Sequence, residues 1–147
     1  MTLPVYRELL DYNVAGPELR RLKRLLIYGT CVRDLYPDIY NEYSKGRVAL
    51  SACLEKTHFN MVTLKVASIM ARIPLEEIVI LTVDGSPHCI QLHMALQEAV
   101  KLTKASIICK HVVIENGRPI EVDDKHVKTA RYLSKIKRLL DRGPAQQ

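Results

Sequence analysis

The sequence predicts an α/β domain of three layers, a mostly parallel sheet between helices, finished by a β-hairpin and a terminal helix. Three observations carry this. Short, largely apolar runs (Leu25–Tyr28, Val48–Ser51, Glu77–Val83) recur along the chain, as strands buried on both faces do. Each run is followed by a longer stretch with apolar residues at helical spacing. Asn116-Gly117 then separates two strand-like runs, the signature of a two-residue hairpin. The 147 residues read as one domain, 1–147, with no repeat or linker.

The elements follow in order. Pro17 to Arg24 reads as a helix, with proline in the first turn and Leu19 and Leu22 on one face. Leu25–Tyr28 is a strand stopped by Gly29-Thr30-Cys31. Asp34 is the expected cap of a helix carrying Leu35, Ile39 and Tyr43, ended by Gly46. Val48–Ser51 is a strand broken at Ala52-Cys53, and a helix runs from about Phe59 to Arg72 before Pro74. Glu77–Val83 is β-branched and continuous, so it should be central. The loop Asp84–Cys89 leads to a helix from about Ile90 to Thr103. Ser106–Glu115 and Arg118–Val122 are the hairpin strands. Asp123 or Asp124 can cap one final basic helix to Leu140, before a frayed tail.

Composition narrows the function classes. The net charge of +6 is mild, tryptophan is absent and one phenylalanine occurs, so a base-stacking nucleic-acid platform is not expected. No apolar run is long enough to span a membrane, and the first residues lack a signal-peptide pattern, so a cytoplasmic protein is expected. Four cysteines in a reducing compartment point to a metal, a cluster, catalysis or burial rather than disulfides.

The chemistry gathers at strand ends. The three clearest strands each run into a loop with a cysteine: Cys31, Cys53 and Cys89. Right-handed crossovers put these loops on one edge of a parallel sheet, where ligands of open α/β sheets bind. Cys109 joins that edge only if its strand stops early; a strand reaching Glu115 makes it an interior residue. His58, His88 and His93 lie near these loops and could ligate a metal or grip an anion; Cys53, Cys89, His58 and His93 are a possible zinc set. Asp84 and Ser86 add a serine-nucleophile reading, although no G-x-S-x-G elbow occurs. Dinucleotide and P-loop signatures are absent. The basic face of the last helix reads as solvated, with RNA or an acidic protein partner as the lesser reading.

From Leu25 to Leu102 the segments LLIYGTCVRDLYPDIYNEY, VALSACLEKTHFN and VILTVDGSPHCIQLHMALQEAV resemble the cluster-bearing domain of the 20-kDa subunit of NADH-quinone oxidoreductase and of hydrogenase small subunits. The resemblance implies a flavodoxin-like fold and a [4Fe–4S] cluster that passes single electrons to a redox partner. Cys53 falls at a ligand position of that family, whereas Ser86 stands where another ligand cysteine belongs and the family's adjacent Cys-Cys pair is missing. The expectation is an iron–sulfur protein of redox chemistry or electron transfer. Its ligands would be Cys31, Cys53 and Cys89, with Cys109, His88 or an external group as fourth. The alternative is a metal-free or zinc-binding module for a small anionic ligand or a protein partner. Self-association is compatible with either.

Overall fold

Leu25, Leu26, Ile27 and Tyr28 send bulky side chains alternately to both sides of the backbone, so a strand here must be covered on both faces. The computed structural model, which describes residues 5–143, meets that demand with one six-stranded sheet. In chain order the elements are β1 (Arg7–Glu8), a 3-10 turn (Leu9–Asp11), α1 (Pro17–Leu22), β2 (Arg24–Gly29), α2 (Thr30–Leu35) and α3 (Pro37–Ser44). Then come β3 (Val48–Ala52), α4 (Phe59–Arg72), β4 (Glu77–Val83), α5 (Pro87–Thr103), β5 (Ile108–Glu115), β6 (Arg118–Val122), α6 (Asp124–Thr129) and α7 (Leu133–Arg142).

The strands lie in the order β1-β3-β2-β4-β5-β6, parallel except for the β5–β6 hairpin. Counted from β2, this is the flavodoxin-like winding. The chain steps from β2 outward to β3, then returns across β2 to β4. Its direction of winding therefore reverses between β2 and β4. Residues of β2 and β4 alternate between two cores. Leu25, Ile27, Ile78 and Ile80 pack with α1, α4 and α5, while Leu26, Tyr28, Val79 and Leu81 pack toward α2 and α3. The four tyrosines 28, 36, 40 and 43 meet in this second core, with the Tyr28 and Tyr40 rings edge-to-face at 4.7 Å.

Local chemistry fixes the boundaries. Lys23 and Lys104 take left-handed conformations that end α1 and α5. Asn116 and Gly117 both have positive φ, 50° and 77°, as a primed hairpin turn requires. At the N-terminal edge of the sheet Glu77 is nearly buried, paired with Arg47 at 2.8 Å and Lys110 at 3.3 Å. Burial alone would raise its pKa, but these two cations pull it below the ordinary carboxylate range.

Several sequence expectations shift. A short strand, β1, adds to the sheet beside β3 with no apolar run to announce it. The helix expected from Asp34 is two helices, with Asp34 inside the first and Pro37 opening the second. The helix expected from Ile90 starts at Pro87, because Ser86 caps it. The single terminal helix is broken: Tyr132 is extended between α6 and α7. Val127, Ala130, Leu133, Ile136 and Leu140 recur at helical spacing in this segment, yet of these only Val127 is buried, while Leu133 is 82% exposed. Of the tail, residues 144–147 lie outside the described residues, as do residues 1–4 of the N-terminal reading.

Truncating a residue on the buried central strand should test this architecture. Ile80→Ala is expected to cost about 3 kcal/mol in urea unfolding, whereas Leu64→Ala, on an exposed face of α4, should change stability by less than ~0.5 kcal/mol.

Candidate functional site

Parallel pairing of β2 with β3 and β4 brings the ends of three strands together, and a cysteine follows each. Cys31 sits in the first turn of α2, Cys53 in the turn after β3, and Cys89 in the first turn of α5. All three line one small cavity of about 60 Å³ at the reversal point between β2 and β4, together with Ser86 and His88. The sulfur of Cys89 lies over Gly29, 3.7 Å from where a β-carbon would stand. The Cys53 carbonyl accepts from the amides of Lys56 and Thr57 and from the Thr57 hydroxyl, which pins the turn.

Exposure differs around this ring. Cys31 is exposed, and Cys53 and Cys89 are half-buried. Burial raises the Cys89 pKa, and the neighbouring Cys31 and Cys53 add to this, while contacts with the Ser86 side chain and the Val83 backbone work the other way. Among the described residues, no group of three or more His, Cys, Asp or Glu is gathered tightly enough to hold a metal ion.

The other sequence candidates separate. Cys109 stands at the start of β5, opposite Ile78, so it lies at the far edge of the sheet from the three thiols. The strand begins rather than ends there, which removes it from the ligand set. His58 caps α4, its Nδ1 accepting from the Asn60 amide at 3.1 Å. Ser86 caps α5, its hydroxyl accepting from the His88 amide at 3.2 Å, so its geometry is that of a helix start. The exposed Asp84 precedes Gly85, whose φ of 102° favours glycine. Asp84, Ser86, Cys89 and His93 share the lining of a neighbouring cavity of about 410 Å³.

His93 lines that second cavity and not the one that all three thiols share. It is 1% exposed and belongs to a chain of hydrogen bonds that the sequence did not reveal. Thr82 Oγ1 lies 2.8 Å from His93 Nε2, His93 Nδ1 lies 2.9 Å from His111 Nδ1, and His111 Nε2 lies 2.7 Å from Asp124 Oδ1. Burial, then the neighbouring His111, pushes the His93 pKa down to about 3, so its ring is neutral at pH 7. The Asp124 carboxylate can only accept, and for a neutral His111 ring one direction satisfies every atom. Thr82 donates to His93, His93 donates to His111, and His111 donates to the Asp124 carboxylate. Strand alternation was the available signal, since His111 shares a sheet face with Cys109 and so faces α5.

Beside the thiol ring a larger groove of about 670 Å³ runs past Thr30 and Ser51 to the N-terminal segment. Its two arginines are engaged: Arg7 pairs with Glu18 at 2.7 Å, and Arg33 pairs with Asp34 at 3.3 Å and covers the Tyr6 ring. Acids and bases both line it, so it has no dominant sign.

A family model described as a Rossmann-like domain matches residues 16–145, and the chain belongs to that family. Comparison with curated proteins and with solved structures gave no significant match. The family match reaches the winding of the sheet and not the narrower resemblance to cluster-bearing subunits. No helix among the described residues is long and apolar enough to cross a membrane.

Thiol alkylation should report the ring. In metal-free protein at pH 7.5, iodoacetamide should label Cys31 well before Cys89, because Cys31 is exposed and Cys89 is held protonated; raising the pH should narrow the gap. Peptide mapping by mass spectrometry reads both rates, and equal rates at pH 7.5 would contradict the burial of Cys89.

Acid should act on His93. Its folded pKa of about 3 lies below the unfolded value of about 6.5. The unfolded chain therefore takes up a proton below pH 6.5 that the folded chain refuses. Stability supplied by the neutral ring is complete at neutral pH and falls on acidification, by about 2 kcal/mol at pH 5. Urea titrations at pH 7 and pH 5 measure this, and His93→Gln should flatten the difference.

Proposed function

We propose that this member of the Rossmann-like domain family holds an iron–sulfur cluster at the thiol-lined crevice and exchanges electrons with a partner protein. The observation that carries the reading is the convergence of Cys31, Cys53 and Cys89, from three separate strand ends, on one cavity at the reversal point of the sheet. Ligands of open α/β sheets bind at that point.

Three thiols are a donor set that iron–sulfur clusters and zinc both take; a lone zinc ion needs its sulfurs about 2.3 Å from a single point. A four-iron cube takes each thiolate at a separate corner, so its ligands stand farther apart. When bound, such a cluster supplies one-electron redox chemistry tuned by the surrounding hydrogen bonds and solvent exposure. The chain's part is to bring three thiols to one place and to give up their protons as iron binds. Burial holds the Cys89 thiol protonated, so loading favours higher pH. His88 lines the same cavity, which Cys109 does not, and is the chain's own candidate for the fourth ligand, with an external group as its rival.

The competing reading is a metal-free module in which the thiols stay protonated and a small molecule occupies the adjoining 670 Å³ groove. The protonated state favoured at Cys89 supports it. Iron analysis separates the two. After anaerobic reconstitution the first reading expects a brown protein with about four irons per chain. Cys31→Ser, Cys53→Ser and Cys89→Ser should each lose most of the iron, and Cys109→Ser should lose none. Less than about one iron per chain overturns the cluster and leaves the metal-free module.

A further inference from the structure

We propose that the cavity between α5, β5 and α6 binds a small organic anion with an apolar body, a medium-chain carboxylate being its simplest form. The cavity measures about 330 Å³, within the ordinary range of small-molecule sites. It lies away from the thiol crevice, because its floor includes Cys109 at the opposite end of the sheet.

Its lining is graded with depth. Leu96 is buried, and Val100 and Cys109 are half-buried, which makes an apolar floor. Burial raises the Cys109 thiol to about 11, so that wall stays uncharged at neutral pH. His111, 1% exposed, offers no free nitrogen, since its two ring atoms are committed to His93 and Asp124. The ligand therefore meets no unsatisfied polar atom of this ring below the mouth.

The mouth is cationic. Lys101, Lys125 and Lys128 all line the cavity and are all exposed. Lys101 leans on Glu98 at 3.5 Å, whereas Lys125 and Lys128 form no ion pair among the described residues. Asp124, the acid in the lining, is hydrogen-bonded to His111. Three ammonium groups thus outnumber one carboxylate above an apolar floor. An apolar chain with an anionic head matches that order of surfaces, and each buried methylene strengthens binding about fourfold.

Isothermal titration calorimetry on the full chain with hexanoate, octanoate and octanol tests the site. Octanoate is expected to bind one site roughly fifteenfold tighter than hexanoate and roughly tenfold tighter than octanol, with the second margin shrinking in high salt. The double variant Lys125→Glu with Lys128→Glu changes only exposed side chains, so folding should persist, checked by circular dichroism. It should weaken octanoate about tenfold or more and leave octanol unchanged. Val100→Phe, which fills the floor, should weaken both. Equal binding of octanoate and octanol, no saturable octanoate binding in the millimolar range, or full octanoate affinity in the lysine variant overturns the proposal. The measurement uses iron-free protein, so its outcome is independent of whether the thiols hold a cluster.

Discussion

β2 pairs in parallel with β3 on one side and β4 on the other, and every chemical feature of the molecule takes its position from that pairing. Leu25 to Tyr28 leave neither face free, so the strand must sit inside the sheet with helices above and below. Once β3 and β4 flank it in the same direction, three strand ends open on one edge. The crossover that returns from β3 to β4 has to pass over β2, and the gap this leaves is where the loops carrying Cys31 and Cys89 meet. The cysteines converge because of strand order, not through any local sequence spacing.

The sheet also keeps its polar groups apart. Three thiols occupy the C-terminal edge, the Glu77 cluster with Arg47 and Lys110 occupies the N-terminal edge, and the histidine pair lies between them under α5. Each group is satisfied in its own way. Glu77 keeps its charge through two cations, whereas His93 discards its charge and relies on directed hydrogen bonds. The second solution is compact but rigid, since the α5 helix, β5 and α6 must all hold their places for the chain from Thr82 to Asp124 to remain intact. Gln97 ties α6 to α5 through the Asp124 carbonyl at 2.8 Å, and Arg131 reaches back to Gln97.

Much of this was legible in the residues. β2, β3, β4 and the Asn116-Gly117 hairpin could be read because apolar runs and turn residues are local signals. The shared edge of Cys31, Cys53 and Cys89 followed from the handedness of crossovers. What escaped depends on neighbours distant in sequence. β1 forms because β3 offers an open edge, not because Arg7 and Glu8 favour a strand. The break at Tyr132 has no glycine or proline to mark it. Two details were not legible for one reason. Whether Cys109 falls at the start or the end of its strand depends on the register of β5 against β4, and the pairing of His93 with His111 depends on the rotation of α5. Both are set by packing, which no single segment encodes.

The hairpin at the end of the sheet has one further effect. With a two-residue turn, Glu115 and Arg118 form the hydrogen-bonded pair that closes it, so the next pair, Ile114 and Pro119, points its backbone groups away from each other. The proline nitrogen thus sits on the free side of β6, where an amide would otherwise invite another strand. Arg118 and Glu121 add charge along the same strand, and the opposite border of the sheet, β1, is only two residues long. Both borders are poor templates for growth, so a sheet rich in Val, Ile and Leu is protected from zipping onto its own copies into fibres.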